Sequence, residues 1–246
     1  MRNGIFVEGL SNVERMLAGI RTLASRGAPE ASWLLNEGDP GYGKSKSLQW
    51  YAMRERSIFV RAKADWTPNW MLRDIADALG VQPSRRTETL FNSVLAELMQ
   101  RQCAIIVDEI DHAARSIRVL ETLRDLTDAS EVPLIAGGMK GALAMLRRYQ
   151  QIRSRIADVV TFGPASEADV KAICKELTDV QIADDLVAEI CKRTGGRLRD
   201  VMNAIARIEA RMKNSRSPVT IESWGGKPLT NEDRVRPQLV KVAANG

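Results

Sequence analysis

Residues 38–45 read Gly-Asp-Pro-Gly-Tyr-Gly-Lys-Ser, a run that fits the pattern G-x-x-x-x-G-K-[ST] of a phosphate-binding loop. A short apolar stretch at residues 31–35 precedes the loop, and residues 45–53 can continue as a helix. In such a strand–loop–helix unit, glycines let successive backbone N–H groups turn toward phosphate oxygens, and the helix adds its positive end. The alternative is a glycine-rich turn that fits by chance, but the flanking strand and helix argue against it.

Two side chains of this loop have predicted chemical roles. Lys44 would reach the β- and γ-phosphates of a nucleotide, and the Ser45 hydroxyl would hold Mg²⁺. The predicted nucleotide-binding residues of the loop are Gly38, Asp39, Pro40, Gly41, Tyr42, Gly43, Lys44, Ser45 and Lys46.

A second motif lies at residues 104–109, where the apolar run Ala-Ile-Ile-Val ends in Asp-Glu. Such a run, bounded by charge, is typical of a strand buried on both faces of a parallel sheet. Asp108 would join Ser45 in the Mg²⁺ shell, and Glu109 would polarise the attacking water. The alternative is a strand end with two solvated acids, and the phosphate loop upstream disfavours it. Together the two motifs predict hydrolysis of ATP or GTP with Mg²⁺.

Predicted strands and helices alternate up to residue 163, which indicates a parallel sheet with helices on both faces. The strands are expected at residues 31–35, 58–60, 104–109, 132–136 and 159–162, with Gly137-Gly138 ending the fourth. Beyond Pro164 only helices are expected, the first of them capped by Ser166. We therefore predict an α/β fold with a parallel five-stranded sheet and a small all-helical lid. The predicted domains are residues 1–163 and 164–213, followed by an extended or disordered basic tail, 214–246.

Composition excludes several classes of protein. The chain of 246 residues has no apolar run near the length of about 18 residues that a membrane span needs, and its first residues do not form a signal peptide. Three scattered cysteines indicate buried free thiols in a reducing compartment. The single histidine, His112, argues against a zinc site and a Ser-His-Asp triad.

The charge of the chain is basic, with a net charge of +5 and a pI of about 9.3. Residues 140–160 carry five basic side chains against one acid, and residues 213–246 carry six against three. These clusters are compatible with nucleic-acid binding, and the alternative is a solvated charged face.

The motifs and domain order described above resemble the AAA+ ATPases, a class of P-loop NTPases. Within that class, residues 5–210 resemble the transposition ATPases, which include phage Mu B protein, TniB and TnsC. The likeness rests on residues 58–80, on Asp-Glu-Ile-Asp-His at 108–112, and on Leu-Arg-Asp-Leu at 123–126 before the fourth strand. The resemblance implies ATP and Mg²⁺ as cofactors. It also implies a location in a bacterial or phage-infected host cytoplasm, in association with DNA.

The resemblance also implies two further arginines at the nucleotide site. Arg155, in Gln-Ile-Arg-Ser-Arg-Ile before the fifth strand, takes the place of the arginine finger that reaches a neighbouring subunit's γ-phosphate. Arg199, after Gly195-Gly196, takes the place of the lid arginine, with Arg197 close to it in the sequence. The alternatives are a surface arginine and a helix start with incidental arginines.

One element departs from the family. A polar residue, often Asn, normally follows the fourth strand and helps to hold the attacking water. Here Met139 and Lys140 follow Gly137-Gly138. Either Lys140 takes this role or the contact is missing.

In the family, subunits assemble around duplex DNA, and residues between the second and third strands bind phosphates. The residues in that region here are Lys63, Arg85, Arg86 and Thr87. Such side chains would bind phosphates without reading bases, and the alternative is a solvated loop.

The resemblance thus implies an ATP-dependent, sequence-non-specific DNA-binding ATPase that assembles on target DNA as a homo-oligomer, either a helical filament or a ring. It would activate a DDE transposase in target selection, and DNA, oligomerisation or the transposase would stimulate hydrolysis of ATP to ADP and phosphate. The alternative is a helicase loader or replication initiator of the same superfamily.

Overall fold

The computed structural model describes residues 6–215 and 217–230. The chain divides into two units, of which one comprises Arg15–Phe162. The other combines the residues up to Glu14 with those from Gly163 onward, so the start of the chain groups with its last third.

The unit Arg15–Phe162 contains one five-stranded sheet in the order β2-β3-β4-β1-β5, with every neighbouring pair parallel. The strands are β1 Trp33–Gly38, β2 Ile58–Arg61, β3 Ile105–Asp108, β4 Leu134–Met139 and β5 Ile156–Phe162. The helices of this part of the chain are α1 Ser11–Ala24, α2 Lys44–Arg54, α3 Pro68–Leu79, α4 Thr87–Arg101, α5 Ile110–Ala113, α6 Ile117–Ser130, α7 Ala142–Leu146 and α8 Gln150–Arg153. The predicted parallel sheet flanked by helices is confirmed.

Local sequence explains where the long helices begin and end. In α3, the Thr67 side chain accepts a hydrogen bond from the Trp70 amide, and Pro68 occupies the first turn, where its missing N–H costs nothing. Gly80 ends the helix with a φ of 72°, a conformation that glycine adopts without steric penalty. Five apolar side chains of α3 at helical spacing are buried in the core: Met71, Leu72, Ile75, Ala76 and Leu79.

Strand β4 is longer than predicted. The sequence prediction ended it at Gly137-Gly138, but the strand continues to Met139 beside β1. These glycines are needed for close packing, because a Cβ on Gly137 would lie 2.5 Å from Leu48 Cδ1 and one on Gly138 would lie 2.6 Å from Ala142 Cβ. Three helices of four or five residues, α5, α7 and α8, were also missed, because they are too short for helical periodicity.

The second unit contains the helices expected after residue 164. They are α9 Glu167–Leu177, α10 Asp184–Thr194 and α11 Leu198–Met212. The short α12, Ile221–Trp224, lies in the predicted tail and was not expected. No helix within the described ranges is long and apolar enough to cross a membrane. The cysteines are free thiols, but only Cys174 is buried, and the other two are partly exposed.

The described part of the predicted tail is folded. Val219 forms a β-bridge with Ile182, and Trp224 is buried with its indole N–H donating to the Lys227 carbonyl at 2.8 Å. One large aromatic side chain can anchor a segment that has no apolar periodicity, and this is why sequence patterning missed it. Residue 216 and residues 231–246 of the predicted tail lie outside the described residues.

A buried carboxylate ties the start of α1 to the start of α9. Asp169 accepts hydrogen bonds from the Ser11 amide at 2.8 Å and the Ser11 hydroxyl at 2.7 Å. It also accepts from the Ser166 amide and hydroxyl, completing a capping box at the N-terminus of α9. Burial raises the pKa of Asp169, but these hydrogen bonds together outweigh burial and leave the pKa below its usual value.

We expect Asp169→Asn to lower the free energy of unfolding by about 1–3 kcal/mol at pH 7, because the charged acceptor is lost. The lowered pKa stabilises the folded protein above the ordinary carboxyl pKa of about 4, and this stabilisation is lost as the pH falls through the folded pKa. Urea unfolding at pH 7 and near pH 3 measures both effects. Glu176→Gln, on the exposed face of α9, is the control. Equal losses at both pH values would contradict this account.

Candidate nucleotide-binding site

The phosphate loop has the backbone conformation that its glycines predict. Gly41 and Gly43 have φ values of 91° and 95°, in the left-handed region that favours glycine. Gly43 also precedes the first turn of α2, which begins at Lys44 and has no side-chain cap. The first backbone N–H groups of α2 therefore remain available for an anionic ligand.

Lys44 is held over the loop from which it projects. Its Nζ donates to the Gly38 carbonyl at 2.6 Å and to the Asp39 carbonyl at 3.0 Å. Burial lowers the pKa of Lys44, and the negative charges of Asp108, Asp39 and Asp111 partly oppose this effect. Helix α2 and the acidic end of β3 lie on either side of Gly137, because a Cβ built on Gly137 would lie 2.5 Å from Leu48 Cδ1 and 3.1 Å from Asp108 Oδ1. The phosphate loop that leads into α2 and Asp108 therefore belong to one site.

Gly38, the first residue of the motif, is required for packing as well as for phosphate access. It lies beside Phe162 where β1 and β5 run parallel, and a Cβ built on it would lie 2.4 Å from the Phe162 carbonyl oxygen. Because backbone atoms cannot move aside as a side chain can, only glycine fits here without displacing a strand.

The predicted acidic pair has two different environments. Asp108 is buried, with 2% of its surface exposed, and its Oδ1 accepts from the Glu109 amide at 3.1 Å. Glu109 has a φ of 57°, unusual for a residue with a side chain, and its carboxylate is 45% exposed. Its Oε2 lies 3.7 Å from Nε2 of His112. Asp108 is thus placed to hold a cation and Glu109 to meet a water from solvent.

Sequence reasoning missed the partner of Asp108. Arg61, the last residue of β2, is in register with Asp108, the last residue of β3. Its Nη2 and Nε lie 3.1 and 3.3 Å from Asp108 Oδ2. The sequence carries no local signal for this pair, because the pair depends on β2 and β3 being neighbours and on their register.

Asp111 was also missed. Its carboxylate is buried and accepts a hydrogen bond from the Met139 amide at 3.1 Å. This bond fixes the end of β4 beside the turn that carries Glu109. The side chains of Met139 and Lys140 are exposed, so a water-holding role for Lys140 stays a prediction.

The residues present fit a nucleotide with Mg²⁺. The loop offers backbone donors, and Ser45 and Asp108 offer the oxygen ligands that Mg²⁺ prefers. Among the described residues, no group of three or more His, Cys, Asp or Glu side chains could hold a metal ion by itself. Ser45 and Asp108 would therefore bind Mg²⁺ together with phosphate oxygens and water.

Arg155 lies at the amino-terminal ends of the strands, whereas the phosphate loop lies at their carboxyl ends. Arg155 immediately precedes β5, and the Trp33 amide at the start of β1 donates to its carbonyl at 2.8 Å. The phosphate loop follows the far end of β1, about 20 Å away at 3.3 Å per residue. Arg155 therefore cannot reach its own phosphate loop. Its guanidinium bonds to Asp128 at 2.9 and 2.7 Å, which raises the pKa of Arg155.

The predicted lid arginine is in the other unit. Arg199 lies exposed in the first turn of α11. Gly195 and Gly196 end α10 with positive φ values, and a Cβ on Gly196 would lie 2.5 Å from the Ala165 carbonyl oxygen. The two glycines therefore fix where α11 begins. The role of Arg199 stays a prediction.

The four predicted DNA contacts differ in availability. The Lys63 ammonium is bound to both oxygens of Asp74 at 2.8 and 2.6 Å and lies over the Trp70 ring. The Thr87 hydroxyl accepts from Asn69 at 2.9 Å. The side chains of Arg85 and Arg86 are exposed, with no ion pair to any residue in the described ranges. These two arginines are the ones most available for phosphates.

The strand order, the phosphate loop after β1 and the Asp-Glu pair after β3 define the AAA+ P-loop fold. Residues 30–146 match the family model described as "AAA domain". A search of curated protein sequences finds no significant match.

Two solved structures share this fold. Aeropyrum pernix ORC1, determined in complex with DNA, superposes with a TM-score of 0.59 and 18% identity over 95% of this chain. CDC6P from Pyrobaculum aerophilum superposes with a TM-score of 0.63 and 16% identity over 86% of this chain. The matches span 66% and 65% of those proteins, just under two thirds of their length. The likeness at these identities is one of fold, and together with the AAA match it supports an AAA+ ATPase in general.

We expect Gly38→Ala to destabilise the nucleotide-free protein by about 1–3 kcal/mol, because its Cβ forces β1 away from β5. Thermal unfolding without nucleotide measures this effect apart from any loss of phosphate binding. Gly27→Ala is the matched control, because its Cβ would meet nothing within 4 Å. Equal melting temperatures for the two variants would show that the close approach is not limiting.

Proposed function

We propose that the protein is a Mg²⁺-dependent ATPase that binds duplex DNA and uses ATP to control its assembly there. The observation that carries the ATPase part is that the phosphate loop, with the Lys44 ammonium held over it, and the buried carboxylate of Asp108 lie at the carboxyl end of one parallel sheet. This end is where open α/β sheets place their ligands.

The residues of the chain divide the chemistry among them. Backbone N–H groups of the loop and the first turn of α2 would bind phosphate oxygens, and Lys44 would exchange the Gly38 and Asp39 carbonyls for the phosphates. Ser45 and Asp108 would hold Mg²⁺, which neutralises charge on the phosphoryl oxygens. Glu109, half-exposed beside them, would orient the attacking water and accept its proton.

A homo-oligomer would complete this site. Arg155 lies at the opposite end of the strands from its own phosphate loop. It can therefore contribute to hydrolysis only at the phosphate loop of a second copy of the chain. ATP bound between two copies would then stabilise a filament or ring. Release of Arg155 from Asp128 would be part of assembly.

Binding to duplex DNA is supported by the basic balance of the chain, by exposed Arg85 and Arg86, and by the fold it shares with ORC1, which was solved bound to DNA. Contacts through arginines to phosphates would be independent of sequence.

Two cellular roles fit such an ATPase. The ORC1 and CDC6P likeness favours a replication initiator or helicase loader. The residues 58–80 and 108–112 favour the transposition regulators, with a DDE transposase as partner. The two roles can be distinguished by measuring the ATPase rate on DNA after adding a helicase or a transposase. A rate that changes only with the helicase supports the first role, and one that changes only with the transposase supports the second.

We expect Lys44→Ala to abolish ATP binding, because the loop loses its phosphate-facing cation. Glu109→Gln should bind ATP with an affinity close to wild type and hydrolyse it about 10²- to 10⁴-fold more slowly. Equilibrium binding of a fluorescent ATP analogue and phosphate release measure the two properties separately. Normal turnover by Glu109→Gln would show that another group activates the water.

We expect the protein to bind random duplex DNA more tightly with ATP than with ADP, and the binding to weaken steeply with salt. The double variant Arg85→Gln/Arg86→Gln should bind more weakly, and its plot of log affinity against log salt should lose about one unit of slope per lost phosphate contact. Arg115→Gln/Arg118→Gln removes the same charge from exposed positions and serves as the control. Equal losses for both pairs would point to net charge rather than a defined surface.

A further inference from the structure

Arg61 is placed on the carboxylate that would bind Mg²⁺. Two of its three donor nitrogens, Nη2 at 3.1 Å and Nε at 3.3 Å, contact the same oxygen, Asp108 Oδ2. The other oxygen, Oδ1, accepts from the Glu109 amide at 3.1 Å. Nε also lies 4.0 Å from Glu109 Oε1. Each oxygen of Asp108 is therefore already hydrogen-bonded in this structure.

The pairing follows from burial and strand register. A carboxylate as buried as that of Asp108 is costly unless a positive charge compensates it. Because β2 and β3 end at the same level, the long side chain of Arg61 reaches the carboxylate directly. The Arg61 side chain remains 50% exposed, so it can move to solvent without disturbing the core.

We infer that Arg61 and Mg²⁺ compete for the negative charge of the Asp108 carboxylate. Arg61 is the counter-ion of the buried carboxylate while the metal is absent, and binding of Mg²⁺ with nucleotide displaces it. Arg61 is thus a positioning residue that sets how strongly nucleotide affinity depends on Mg²⁺. The inference rests on the proposed binding of Mg²⁺ and ATP at this site.

The Arg61–Asp108 pair also predicts the direction in which removal of Arg61 changes the affinity for Mg²⁺. Removing Arg61 eliminates the competitor, so the metal gains affinity. It also leaves a buried charge uncompensated in the metal-free protein, which becomes less stable.

The test is the ratio of the affinities for a non-hydrolysable ATP analogue in excess Mg²⁺ and in EDTA, at constant ionic strength. We expect Arg61→Gln to raise this ratio roughly three- to tenfold, the scale of a partly exposed ion pair. Its melting temperature should fall in EDTA and recover with Mg²⁺ and the analogue, because ligand binding stabilises the folded state.

Matched variants separate this effect from others. Arg73→Gln removes an exposed arginine whose Nε bonds to Asn69, and it should leave the ratio unchanged. Arg61→Lys keeps a charge but loses the paired donors, and it should give an intermediate ratio. If Arg61→Gln fails to fold, Arg61→Lys carries the test.

The outcomes distinguish this inference from the proposed function. A wild-type protein that binds no ATP analogue under either condition would refute the proposed function and the inference with it. Normal nucleotide binding with the same ratio in wild type and in the folded Arg61 variants would overturn the inference alone.

Discussion

The buried carboxylate of Asp108 is the charge around which the candidate site is arranged. A negative charge with so little water around it requires a positive partner. Arg61 supplies that partner from β2 by contacting the carboxylate directly. Lys44, the first residue of α2, adds a second positive charge over the phosphate loop. A nucleotide with Mg²⁺ would redistribute existing charge pairs instead of entering an empty cavity.

Close packing at the carboxyl ends of the strands keeps the phosphate loop and Asp108 near each other. Gly38 approaches the backbone of Phe162, and Gly137 lies between Leu48 of α2 and the Asp108 carboxylate. A side chain at Gly137 would separate the phosphate loop helix from β3. At the end of β4, the Asp111 carboxylate accepts a hydrogen bond from the Met139 amide and so holds the strand beside the turn that carries Glu109.

The parts of the fold that the sequence could predict are those encoded by local pattern. Apolar runs identified all five strands, and the glycines and Lys44 identified the loop, because each signal lies within a few consecutive residues. The Arg61–Asp108 pair depends on strand register across 47 residues of sequence, and no local pattern encodes it. The length of β4 likewise depends on what the glycines approach in space. The described part of the tail is anchored by one buried aromatic side chain, Trp224, and one residue produces no periodic pattern in the sequence.

Arg61 and Arg155, the two arginines with a role in the proposed mechanism, are both paired with carboxylates. Arg61 is bound by Asp108 at the nucleotide edge, and Arg155 is bound by Asp128 at the opposite edge. In the proposed mechanism each would leave its carboxylate, Arg61 when Mg²⁺ binds and Arg155 when a second copy presents its nucleotide. An isolated arginine would have to be desolvated at that moment, whereas an exchange replaces one ion pair by another and changes the total free energy little. The bound nucleotide would then control assembly through small differences in free energy between alternative ion pairs. Assembly that depends on such exchanges would remain reversible.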